Sequence, residues 1–105
     1  MLEFIAREEF MAKVSNSYVL QDQEQREEVI NRVKRAEGQI AGVLRMLEDG
    51  RGCEEVVHQM AAVGKAMNTA AVTLIAASLQ ECLEDKKRNT PERRERLQKL
   101  FLSLA

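Results

Sequence analysis

Between about Glu24 and Glu48 apolar residues fall at Val29, Val33, Ala36, Ile40, Val43 and Leu47, in alternating steps of four and three. That spacing keeps them on one side of a helix and predicts an amphipathic element. Asp49-Gly50-Arg51-Gly52 follows, and two glycines at a helix end suit a left-handed stop and a tight return. The result is a helical hairpin. Its second arm runs from about Cys53 to Lys87 with no proline and one glycine, Gly64. At ~1.5 Å per residue it would span about 50 Å. Val57, Met60, Met67, Leu74 and Ile75 line it, while alanines such as Ala62, Ala66 and Ala76 keep its flanks small. A long helix apolar around much of its circumference fits the middle of a multi-chain bundle.

Thr90-Pro91 opens a third helix, with threonine as N-cap and proline at the first helical position. Leu97, Leu100, Phe101 and Leu104 form its apolar stripe, and Asp85 to Asn89 are a charged connector. Residues 1–23 have weak periodicity and end in polar runs, which predicts a flexible N-terminal arm ahead of one helical domain at 24–105. The fold class expected is all-α.

Composition sharpens this picture in one respect. With 105 residues, 4% aromatics and no tryptophan, a monomer would have a thin core, and sharing it with a second copy is the usual remedy. The net charge of −1 argues against a general nucleic-acid glue but leaves room for a local basic face. The apolar stretches are interrupted by charges, so no membrane span is expected. Glu3, Arg7, Glu8 and Glu9 differ from the start of a secretory signal, pointing to the cytoplasm.

Two cysteines, Cys53 and Cys82, are the candidate chemistry. In a reducing compartment such a pair suits a metal or redox site better than a permanent staple. Twenty-nine positions apart on one helix, they are separated by roughly 40 Å and cannot meet within it. Two such helices packed antiparallel about a two-fold axis would give two equivalent Cys53–Cys82′ pairs; two unrelated buried cysteines are the alternative. His58 lies about 140° around the helix from Cys53 and reads as a surface or packing residue. Met46, Met60 and Met67 fall on core spacings and read as packing. No general base or oxyanion donor set accompanies either thiol, so an enzyme is not expected. Arg32, Arg35 and Gln39 share one face of the first helix with Lys34 beside them, and Lys65 lies midway along the second. These side chains could bind phosphates or be ordinary solvated charges balanced by Glu27, Glu28 and Glu37.

Arg32-Val33-Lys34-Arg35, Gly38-Gln39-Ile40, Arg45-Met46-Leu47-Glu48, Cys53, Gln59-Met60-Ala61-Ala62-Val63 and Leu79-Gln80-Glu81-Cys82 resemble the CsoR family of repressors in order and spacing, over roughly residues 26 to 83. The resemblance implies a three-helix protomer, an antiparallel dimer forming a four-helix bundle, and a dimer of dimers. It implies repression at an operator, with Arg32, Lys34, Arg35 and Lys65 as DNA-contact residues, and release when an inducer acts on Cys53 and Cys82. Copper-sensing members carry a histidine four residues before the second cysteine, where this chain has Ser78, and often a tyrosine where it has Gly52. A hydroxyl is a poor Cu(I) ligand. Both departures resemble the CstR-like branch, which implies a persulfide or polysulfide inducer, an intersubunit sulfur bridge and no cofactor. The alternative is a Cu(I)-responsive repressor holding the ion through Cys53 and Cys82. Glu37 stands where the family often has arginine.

Overall fold

A computed structural model of the chain describes residues 19–104. It contains three helices, α1 (Gln23–Glu48), α2 (Cys53–Glu84) and α3 (Pro91–Ser103), and no strand among the described residues. The expected all-α class is therefore correct. Residues 1–18 of the expected arm lie outside the described residues.

Each boundary has a local chemical cause. Asp22 caps α1 by accepting a hydrogen bond from the Gln25 amide at 2.9 Å, satisfying one of the first-turn donors that a helix leaves unpaired. At the other end Gly50 adopts φ 71°. Its amide donates to Leu47 O and the Arg51 amide to Met46 O, the paired closure of a glycine-terminated helix. Glycine is needed there because a Cβ at positive φ is strained. Thr90 caps α3 through its hydroxyl, which accepts from the Arg93 amide at 3.3 Å, and Pro91 begins the helix.

The second helix ends at Glu84, not at the expected Lys87. Asp85 stops it: its carbonyl accepts from the amides of Arg88 and Asn89, and its side chain accepts from the Lys87 amide at 3.0 Å. Aspartate competes in this way with continued helix.

Helices α1 and α2 pack along their length across the four-residue turn, and α3 folds back along α2. Leu97 and Phe101 line a groove with Val72, Ile75, Ala76 and Leu79 of α2, and Leu104 lines a second, more open one with Lys65 and Val72. The buried apolar core is small: Leu20, Ala36, Val56, Ala70, Ala77 and Cys82.

The apolar stripe expected on α1 divides in two. Val29, Ala36, Val43 and Met46 lie on the covered side with Arg32 and Gln39, whereas Val33, Ile40 and Leu47 stay exposed beside Ile30 and Leu44. Steps of four and three drawn from two neighbouring stripes mimic one. Helix α2 is also less interrupted than expected. Lys65 is its one Lys, Arg, Asp or Glu between Glu55 and Glu81, and by length and composition alone it could cross a membrane.

Candidate functional site

Helix α2 lies between α1 and α3, which leaves two of its sides open. Val72, Ile75 and Leu79 face α3, and Val56, Ala70 and Ala77 lie on the α1 side by helical phase. Between these two sectors runs a stripe of Cys53, Val57, Met60, Met67, Leu74, Ser78 and Cys82. Val57, Met60, Met67 and Leu74 are exposed. At roughly 100° per residue, Cys53 and Cys82 lie only about 20° apart around the axis while roughly 40 Å apart along it. Both thiols therefore share one phase of the helix, one at each end, although the face is open at Cys53 and closed at Cys82.

Their surroundings differ. Cys53 is exposed at the first residue of α2, behind Gly52, which provides no side-chain cap. Cys82 is 1% exposed, and its Sγ donates to the Arg88 carbonyl at 2.9 Å. Ser78, one turn before it, is also buried.

The segment entering α1 straps this second end. The Gln21 amide donates to the Glu81 carboxylate at 2.9 Å, and the Asp22 amide donates to its other oxygen. Gln25 bonds Gln80 side chain to side chain at 3.2 Å. Arg26 donates to the Leu20 carbonyl at 2.7 and 3.2 Å, and Leu20 is buried. Sequence reasoning missed this strap. Leu20, at the end of Tyr18-Val19-Leu20 and two residues before the Asp22 N-cap, was its one signal.

The four basic candidates do not form one cluster. Lys34 and Arg35 are exposed on α1. Arg32 is half-buried on the side turned to α2 and paired with Glu28 at 3.3 Å, an exposed i,i+4 pair of small energetic weight. Lys65 lies on α2 beside Leu104, near the end of α3. Gln39, placed on the same face as Arg32, is half-buried as well.

His58 is exposed and outside the cysteine stripe. Among the described residues no group of three or more His, Cys, Asp or Glu side chains is placed to hold a metal ion. Within one chain, then, the thiols cannot share a ligand. Two copies could bring them together.

The described residues form a three-helix chain with a cysteine at either end of its longest helix. Comparison with known proteins gives its family. Residues 25–103 match the family model described as metal-sensitive transcriptional repressor, and the chain belongs to that family. It is 34% identical over 61 residues to the copper-sensing transcriptional repressor CsoR of Bacillus subtilis (strain 168), covering 58% of this chain and 60% of the relative. It is 33% identical over 60 residues to the copper-sensing transcriptional repressor RicR of Mycobacterium tuberculosis (strain ATCC 25618 / H37Rv), covering 57% and 62%. The matched region thus spans about 60% of the curated relatives' length. No solved structure gives a significant match.

Proposed function

We propose that this protein is an oligomeric transcriptional repressor whose inducer acts where Cys53 of one copy meets Cys82 of another. The observation that carries this reading is the shared phase of the two cysteines at the two ends of a stripe that is exposed and apolar from Val57 to Leu74. Two such stripes packed antiparallel about a two-fold axis near Met67 would place each Cys53 against the other copy's Cys82. The exposed residues Val57, Met60, Met67 and Leu74 would be buried in that seam. Each large apolar side chain so covered contributes about 1.5–3 kcal/mol. The open apolar face of α2 is then satisfied by protein rather than lipid.

For the inducer, the two named relatives favour Cu(I). Thiolates are soft ligands suited to that ion, and Cys53 with the partner's Cys82 would supply two of them. Ser78 supports a second reading, because no imidazole stands where a third donor is expected. In that reading the Cys53 thiolate attacks the outer sulfur of a persulfide RSSH, releasing RS⁻ and leaving Cys53–SSH. The partner's Cys82 thiolate then attacks the Cys53 sulfur, forming a disulfide and releasing HS⁻.

One experiment separates them. Full-length protein is bound to a labelled duplex from upstream of its own gene, then titrated anaerobically with Cu(I) or with polysulfide. Release at one Cu(I) per thiol pair, with no covalent dimer, supports copper. Release by polysulfide alone, with a dimer on non-reducing gels, supports sulfur sensing. A protein that neither binds the duplex nor forms an oligomer ends both readings.

A further inference from the structure

Charge is not spread evenly along this chain. Residues 85–99 contain seven Lys or Arg and three Asp or Glu, a net +4, within a chain of net −1. The other 90 residues therefore sum to −5. Helix α1, which carries three of the candidate DNA contacts, has five basic and five acidic residues and is neutral; α2 has one basic residue against four acidic. The local excess that DNA binding calls for lies in the connector after α2 and in α3.

This segment is also held in a fixed shape. Asp85 accepts from the amides of Lys87, Arg88 and Asn89, and its carboxylate pairs with the Arg88 guanidinium at 3.3 Å. The Asn89 side chain accepts from Arg94. Lys86, Lys87 and Arg96 are exposed, and no ion pair among the described residues occupies them. Cations presented by a prefixed turn lose little conformational freedom when a phosphate arrives. The turn is also bonded to a thiol, since the Arg88 carbonyl accepts from Cys82 Sγ at 2.9 Å. A thiolate, a metal-bound sulfur or a sulfur in a bridge has no proton to donate.

We infer that the α2–α3 connector and α3, through Lys86, Lys87 and Arg96, form a DNA-backbone contact surface whose position is set by the protonated Cys82 thiol. This rests on the repressor reading and deepens it. Ligation or sulfur exchange at Cys82 removes the donor that holds the Arg88 carbonyl, and the basic turn is released from its place. The route from sensing thiol to DNA contact is then a single hydrogen bond long.

The test uses the reduced full-length protein and a fluorescein-labelled duplex from upstream of its own gene, titrated at several salt concentrations. Lys86→Gln/Lys87→Gln/Arg96→Gln should keep its helical circular dichroism, lose at least about tenfold in affinity at 0.1 M salt, and flatten the log–log salt slope by about 0.9 per lost contact. Arg32→Gln/Lys34→Gln/Arg35→Gln serves as the comparison and should lose less. Cys82→Ala should weaken binding without any inducer and speed hydrogen exchange of the Asn89 and Thr90 amides. Unchanged affinity and slope in the connector variant overturn the surface, and wild-type behaviour of Cys82→Ala overturns the tether. If the wild-type protein itself does not bind the duplex, the repressor reading falls and this inference with it.

Discussion

The two ends of α2 carry the same functional group in opposite settings. At the start, Cys53 stands in solvent behind a glycine, with no side chain covering it. At the far end Cys82 is sealed by the Arg88 carbonyl, with the strap of Leu20 to Asp22 fixed to its neighbour Glu81. A site assembled from one of each would join a thiol free to meet an inducer to a thiol wired into the fold. In the proposed site the difference would divide the work, with capture at Cys53 and transmission at Cys82.

The contrast is most sharply tested by reactivity. Iodoacetamide should modify Cys82 at least about a hundredfold more slowly than Cys53, since a buried thiol reacts only through local opening. Peptide mass spectrometry of a time course would read this, and equal rates would erase the distinction. The next effect is on stability. Leu20→Ala empties a buried position and should cost about 2–3 kcal/mol, measured by urea unfolding, while raising the Cys82 labelling rate and leaving that of Cys53 unchanged.

Gly50→Ala strains a residue held at φ 71° and should cost about 1–2 kcal/mol. It acts on the turn before Cys53, so the labelling rate of Cys82 should be unaffected. The smallest change is Glu81→Gln. It keeps one acceptor for the strap but loses the charge that strengthens both bonds, a loss of about 1 kcal/mol. Faster labelling of Cys82 with little change in helical content is the expected result; slower labelling would contradict the strap's role.

Much of this architecture was legible in the sequence. Asp49-Gly50-Arg51-Gly52 and Thr90-Pro91 marked two boundaries because backbone conformation at a glycine and a proline is nearly a local matter. The spacing of Cys53 and Cys82 already put both at one phase of a single helix. What stayed hidden depended on contacts between distant segments. Nothing near Glu81 announces that its carboxylate will receive two amides from residues 21 and 22. On α1, the stripe through Val29, Val33 and Ala36 merged a covered row with an open one, because the exposed row is as apolar as the buried one. Arg32 and Gln39, read as outward-facing, lie half-buried on the α2 side, where long aliphatic stems pack as readily as they extend.

The bonds from Gln21 and Asp22 to Glu81 join residues 60 and 59 positions apart, whereas the hairpin turn at Gly50 closes over a few. Ordering a short loop costs less chain entropy than ordering a long one, so the α1–α2 pair should assemble from the turn outward and latch at Glu81 last. Run in reverse, the same sequence makes the latch the first part to fray. A buried thiol one residue from that latch can then be exposed by a small, fast local opening while the rest of the hairpin stays zipped. Burial of Cys82 would set the frequency of its encounters with an inducer, rather than forbid them.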